Sequence, residues 1–187
     1  VHWTKNGTVI DGSNTLSIEV GVDVPAEYVA HFAQYTITAN DNPDGSATTI
    51  TGVGSYAHGA TATLEATPAT GYTFVNWTNA EGEVVSTEAS YTTRAIQGDS
   101  TYTANYNINV SVSAVNGSAV ISSHNNATSG NYQQGTSLTL IATATEGYGF
   151  VNWTKNGAVI EGDEEITVTV DVPAEYVAHF AQYTITA

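Results

Sequence analysis

The residues of this 187-residue chain that could do chemistry are five histidines, eighteen acidic residues and a loop rich in Asn and Asp. His31 and His179 hold the same place in two copies of "YVAHF", and Asn105 stands there in the related "YTANY". Imidazole binds a transition metal when further ligands follow at short, regular spacing. Neither histidine has such a companion, His58 and His124 sit in loops without cysteine or carboxylate neighbours, and His2 matches Asn152. They read as outward strand and loop histidines. "NDNPDGS" places Asn40, Asn42 and Asp44 alternately before Gly45, in the manner of a calcium loop. The first ligand there is usually Asp and the twelfth a bidentate Glu, which is Thr51 here. A Pro-Asp-Gly hairpin turn is the better reading. "EGDEE" (161–165) reads as a solvated hairpin tip with weak attraction for cations. No nucleophile elbow, phosphate loop or paired-carboxylate pocket is recognisable. The expectation is a non-enzyme with no metal and no cofactor.

Aromatic residues offer one further chemistry. "GYTFVNWTNAEG" begins at Gly71, "GYGFVNWTKNG" at Gly147, and "VHWTKNG" opens the chain. A tryptophan flanked by Asn152, Thr154 and Asn156 could form a platform on which Trp153 stacks a sugar ring. The competing reading is structural. A unit of about 75 residues without disulfides has a marginal core, and large aromatics bury roughly 150–250 Å² each. The expected core is therefore Tyr72, Phe74, Trp77, Tyr102 and Tyr106, repeated as Tyr148, Phe150, Trp153, Tyr176 and Phe180.

Composition narrows the partners. Three Lys and Arg against eighteen Asp and Glu give a formal charge of −15. Scattered cations cannot neutralise phosphates or grip an anionic membrane, so nucleic acid is excluded. No apolar run nears the roughly 20 residues of a bilayer span. Cysteine is absent, so disulfides contribute nothing. Methionine is absent too, and the expectation is a piece of a longer polypeptide. Abundant Thr, Ser, Asn, Gly, Val and Tyr favour strands and turns. Acidic, Thr-rich chains without cysteine are common among exported bacterial proteins. Six Asn-x-Ser/Thr sequons (Asn6, Asn76, Asn109, Asn116, Asn126, Asn152) are within what such a composition yields by chance.

The elements that must position these residues are repeated. Trp3, Trp77 and Trp153 recur about every 75 residues, and "GATATLEAT" answers "GTSLTLIAT". The expected organisation is the second half of a module at 1–33, complete modules at 34–106 and 107–181, and the first strand of another at 182–187. A longer period of about 150 residues also appears, since "DVPAEYVAHFAQYTITA" occurs identically at 23–39 and 171–187. Near-identity over that distance suggests recent duplication and a long array.

Alternation supplies the strands. Tyr28, Ala30 and Phe32 share one face, as do Tyr102, Ala104 and Tyr106; Ala60, Ala62, Leu64 and Ala66 form another inward set. Asn116-Gly117 reads as a type I′ hairpin, with "ANDNPDGSATT" as its longer counterpart. One helical turn is conceivable near 87–91. In the signature strand, alternation sets Tyr72 and Phe74 against Val75 and Trp77. Either both faces are covered or a bulge near Asn76 turns Trp77 inward. Each unit is expected to hold about six short antiparallel strands.

The opening strand ("YTITA" in the first complete unit), the "YxxG" before the second hairpin, the "GYxFxxW" signature and the closing aromatic strand ("TYTANY"), met in order twice at matching spacing, resemble the divergent internalin-B B-repeat. This family is related to the Listeria–Bacteroides repeat of bacterial surface proteins. The resemblance covers essentially the whole chain. It implies an all-β, β-grasp-like module repeated in tandem on cell-surface or secreted bacterial proteins, and it lends no catalytic residues. The expected function is structural: a stalk, fibre shaft or adhesin repeat region. The alternatives are a carbohydrate-binding module with exposed aromatics, or the building block of a filament assembled end to end or by strand exchange. Expected partners are neighbouring modules of the same chain, then other copies end to end, surface glycans or host surface proteins. No membrane insertion is expected.

Overall fold

The computed structural model describes residues 2–11, 17–21, 25–160 and 162–183. Its regular structure is nearly all strand; among the described residues the one 3-10 turn is at Ser122–His124 and not near residues 87–91, where the chain bends at 87–89 and then enters a strand.

Residues 34–106 build two facing sheets from eight strand segments. These are β4 (Gln34–Asn42), β5 (Ala47–Thr51), β6 (Gly54–Ala57), β7 (Thr63–Pro68), β8 (Tyr72–Thr78), β9 (Val84–Ser86), β10 (Ser90–Thr92) and the first part of β11 (Ser100–Val115). One sheet runs β6-β4-β11-β8-β9 and the other β10-β7-β5. The rest of β11 repeats the plan with β12 (Gly117–Ile121), β13 (Ser129–Tyr132), β14 (Ser137–Ala144), β15 (Tyr148–Lys155), β16 (Ala158–Ile160), β17 (Glu165–Thr169) and β18 (Ala174–Gln182). Its sheets run β13-β11-β18-β15-β16 and β12-β14-β17. Ahead of both, β1 (His2–Lys5), β2 (Thr8–Asp11) and β3 (Tyr28–His31) pair in the order β2-β1-β3, as β16-β15-β18 do.

The all-β class and small antiparallel sheets are as expected, with two differences. There are eight strand segments per unit rather than about six. The first and last strands of each unit are also parallel neighbours: Ile37–Asn42 pairs with Ser100–Asn105, and Val110–Val115 with Ala174–His179. Such a pair needs a long crossover, and the whole unit between its first and last strand supplies one.

Two turns expected to be hairpins are corners. β11 and β12 do not pair; Asn116 (φ 65°) redirects the chain so that β12 joins β14 in the facing sheet. β4 and β5 part in the same way at 43–46, β5 pairing with β7. A dipeptide sets the local turn but not the sheet that the following strand joins. The same Asn-Gly pair at Asn156-Gly157 (φ 50° and 82°) does close a hairpin, with Lys155 opposite Ala158.

One strand feeds both cores. Along β11 the buried residues Ala104, Tyr106, Ile108, Val110 and Val112 all lie on one face. The first two pack in the cluster around Trp77 and the other three in the cluster around Trp153. Tyr72 packs against both clusters and pairs with Ile108.

Candidate functional site

The signature strand carries a bulge in each copy. Asn76 pairs with Asn105 and Phe74 with Tyr106, so Val75 is the extra residue. Asn152 pairs with His179 and Phe150 with Phe180, so Val151 is extra. A bulge shifts the side-chain phase by one, which brings Trp77 to the same side as Phe74 and leaves Val75 and Val151 exposed. Of the two alternatives that the alternation left open, the bulge is the one present.

Trp77 and Trp153 are both 0% exposed. Each indole N–H donates at 3.1 Å to a backbone carbonyl, that of Ala89 or of Asp163, so the buried polar atom is satisfied. Phe74 lies 6.1 Å from Trp77 and edge-on to Tyr106 at 5.6 Å; Phe150 repeats this at 6.3 Å from Trp153 and 5.8 Å from Phe180. Tyr106, Tyr176 and Phe180 are buried, while Tyr72, Tyr102 and Tyr148 are half-buried against the same clusters. Phe32, at the position of Tyr106 and Phe180, is instead exposed. Burial pushes the Tyr106 hydroxyl up to about 12, with the Asp41 charge adding to it, and the hydroxyl has no hydrogen-bond partner.

Thr154 and Asn156, on the far side of Trp153 from Asn152, have structural partners. The Trp153 ring presents no face on which a sugar could stack. The Thr154 hydroxyl is 3.2 Å from His179 Nε2, and Asn152 Oδ1 is buried and unpaired. Asn156 Oδ1 accepts from the Glu175 N–H at 2.8 Å while its Nδ2 donates to the Pro173 carbonyl. Asn6 does the same toward Glu27 at 2.9 Å.

The histidines also have local roles. His31 bonds Thr4 at 3.1 Å and stacks on His2, while at the equivalent place Asn105 donates to Thr78 and Asn76. His124 lies edge-on to Tyr132 and His58 beside Tyr35. Among the described residues no three His, Asp or Glu side chains gather as a metal set. The turn after Asn40 is closed by Asp41, whose carboxylate accepts from the Ala47 N–H at 3.0 Å. Of "EGDEE", Glu161 lies outside the described residues, and the Glu164 and Glu165 side chains are exposed.

Sequence reasoning overlooked an open groove of about 930 Å³ in the first complete unit. Tyr91 and Tyr102 meet there edge-on at 5.6 Å, beside Glu81, Glu83, Asp99 and Arg94. The Tyr102 hydroxyl is raised, chiefly by burial and then by Tyr91, while the Arg94 charge acts in the opposite sense. A signal for this groove was present in the sequence, since Lys155 of "NWTKNG" is Asn79 in "NWTNAEG".

Comparison with known proteins agrees with this geometry. The family model described as divergent InlB B-repeat domain matches residues 35–110 and again residues 108–185. The chain therefore belongs to the divergent InlB B-repeat domain family, a class of repeat domain typical of bacterial surface proteins and not a known enzyme family. No curated protein and no solved structure matches the chain. Among the described residues no helix is long and apolar enough to cross a membrane.

Proposed function

We propose that the chain is a stiff, tension-bearing spacer in an extracellular bacterial array, built from successive modules at 34–106 and 107–181. The observation that supports this reading is β11, a single unbroken strand that closes one core and opens the next on the same face. A flexible linker needs several Gly, Ser or Pro residues free of contacts, whereas Asn107 at this junction lies within the strand and pairs with Thr73. Tyr72 and the Asn109 N–H, which donates to the Gly71 carbonyl at 2.8 Å, tie the two units further. The reading assigns the chain no catalysis; the signature aromatics serve the cores, and the partners are the neighbouring modules.

Small-angle scattering on arrays of two, four and six units tests it. The maximum dimension is expected to grow linearly, by roughly 30 Å per compact unit of this size. Growth with the square root of unit number would mean flexible beads and overturn the proposal.

A further inference from the structure

The residue after Trp-Thr faces the first tyrosine of the closing strand in each copy of the signature. Lys5 pairs with Tyr28 and Lys155 with Tyr176; Asn79 stands one step beyond the Thr78–Thr103 pair, beside Tyr102. Both lysines lay their ammonium over the ring, 5.6 and 5.9 Å from its centroid. Lys155 is held there by Asp171 at 3.0 Å. Asn79 cannot do this. Its side chain is short and turns back into its own hairpin, where Nδ2 donates to Glu83 Oε2 at 3.0 Å and Oδ1 accepts the Glu83 N–H at 2.8 Å.

The place the lysine fills in the other copies is thus part of the open groove. Its carboxylates, Glu81, Glu83 and Asp99, outnumber its one cation, Arg94. Asp99 is occupied in accepting the Thr36 N–H at 2.7 Å, which leaves Glu81 as the carboxylate without a hydrogen bond among the described residues. Among the described residues Arg94 makes no ion pair and lies over no ring, so no cation of the chain itself lies on Tyr102, which Tyr91 meets edge-on.

We propose that this groove seats the ammonium of a lysine side chain from a partner protein, over Tyr102 and against Glu81. An ammonium over a tyrosine face is attracted by the ring quadrupole, more so where water is partly excluded. The chain's charge of −15 steers basic partners toward it. This inference goes beyond the spacer reading: it gives one module of the pair a docking point that the other fills internally.

The test is amide NMR on the full chain, titrated with an acetylated and amidated Gly-Lys-Gly peptide. The same peptide with norleucine for lysine is the uncharged control. The expected shifts fall at residues 79–85, 91–94 and 99–102, with none from the norleucine peptide. Asn79→Lys installs the side chain that the flanking copies carry and should weaken binding at least about fivefold, as should Tyr102→Leu. Lys155→Asn should open a second seat at Tyr176. Because Asn79→Lys copies a residue already accommodated in two units, it keeps the test decisive if Tyr102→Leu fails to fold. Shifts spread over the acidic surface, undiminished binding to Asn79→Lys, or groove shifts produced by an oligosaccharide and not by the lysine peptide would each overturn the proposal.

Discussion

Gly71 (φ +84°) lies so close to Pro173 that a Cβ on it would overlap the proline ring. Gly71 belongs to one unit and Pro173 to the turn before the last strand of the next, so this approach is part of the junction. Gly147 has the same φ and open space around it. The pair separates two effects. Gly147→Ala should cost about 1–2 kcal/mol, the left-handed penalty alone. Gly71→Ala should cost about 1–3 kcal/mol more, from the overpacking, and Pro173→Gly should recover most of that excess. Denaturant midpoints of the four proteins provide the check; equal costs at the two glycines would mean that the junction is loose.

The buried tryptophans carry the second prediction. Trp77→Ala and Trp153→Ala should each cost about 3–5 kcal/mol, the scale for deleting a large buried aromatic. Deleting Val151 leaves Phe150, Asn152 and Trp153 in plain alternation opposite Phe180, His179 and Ala178, so both rings stay inward without a bulge and the cost should be well below that of Trp153→Ala. Urea unfolding followed by tryptophan fluorescence reads both. A Val151 deletion as costly as Trp153→Ala would refute the role given to the bulge.

Tyr106 has a buried hydroxyl without a partner where the following unit has Phe180. Tyr106→Phe is expected to raise stability by about 1 kcal/mol, because an unsatisfied buried polar group is removed. The pH dependence has a definite sign. A folded value of about 12 lies above the ordinary 10, so the native state holds this proton more tightly. That contribution is complete below about pH 10 and is lost as pH rises toward 12. The alkaline limb of a thermal-stability profile should therefore be shallower in Tyr106→Phe, and an unchanged limb would argue against it.

Much of this fold was legible in the sequence because its determinants are local. Alternation marked Ala62, Leu64 and Ala66 as inward, and it exposed the conflict at Val75 and Trp77 that a bulge resolves. The parallel pairing of β4 with β11 was not legible, since nothing between Tyr35 and Tyr102 announces a partner some 60 residues away. The Asn116 corner was misread for the same reason: its turn signal is genuine, but β12 pairs with Leu140–Ala144 of β14 in the facing sheet, some 20 residues further on. The groove went unseen because its defining feature is a substitution between copies, Asn79 for Lys155, and not a motif.

The Lys155–Asp171 pair is expected to contribute little, since Asp171 is largely exposed. Its carboxyl is held below the usual carboxylate range chiefly by the Lys155 hydrogen bond, and the Lys155 ammonium is raised in turn. The depressed carboxyl adds stability above about pH 4 that fades as pH falls, and the raised ammonium adds stability that fades above about pH 10. Asp171→Asn should lower stability by less than about 1 kcal/mol at pH 7. The gap should narrow as pH falls below about 4 and shrink at about 1 M salt. A gap that persists under both conditions would assign the effect to packing of the 171–173 turn.

The last prediction concerns force. Because β11 and β18 run parallel and are paired from Val110–Ala174 to Val115–His179, their hydrogen bonds lie across any tension that enters the unit at its start and leaves at its end. All the rungs must then fail together. Pulling instead on the C-terminal ends of both strands loads one rung at a time. The chain has no cysteine, so two introduced thiols define the pulling points without background. Thiols at residues 107 and 181 load the ladder in shear; thiols at 116 and 181 peel it. Single-molecule extension should give a clearly higher unfolding force for the first pair at the same loading rate. Equal forces would mean that the parallel ladder does not resist tension, and the spacer would then owe its stiffness to the junction alone.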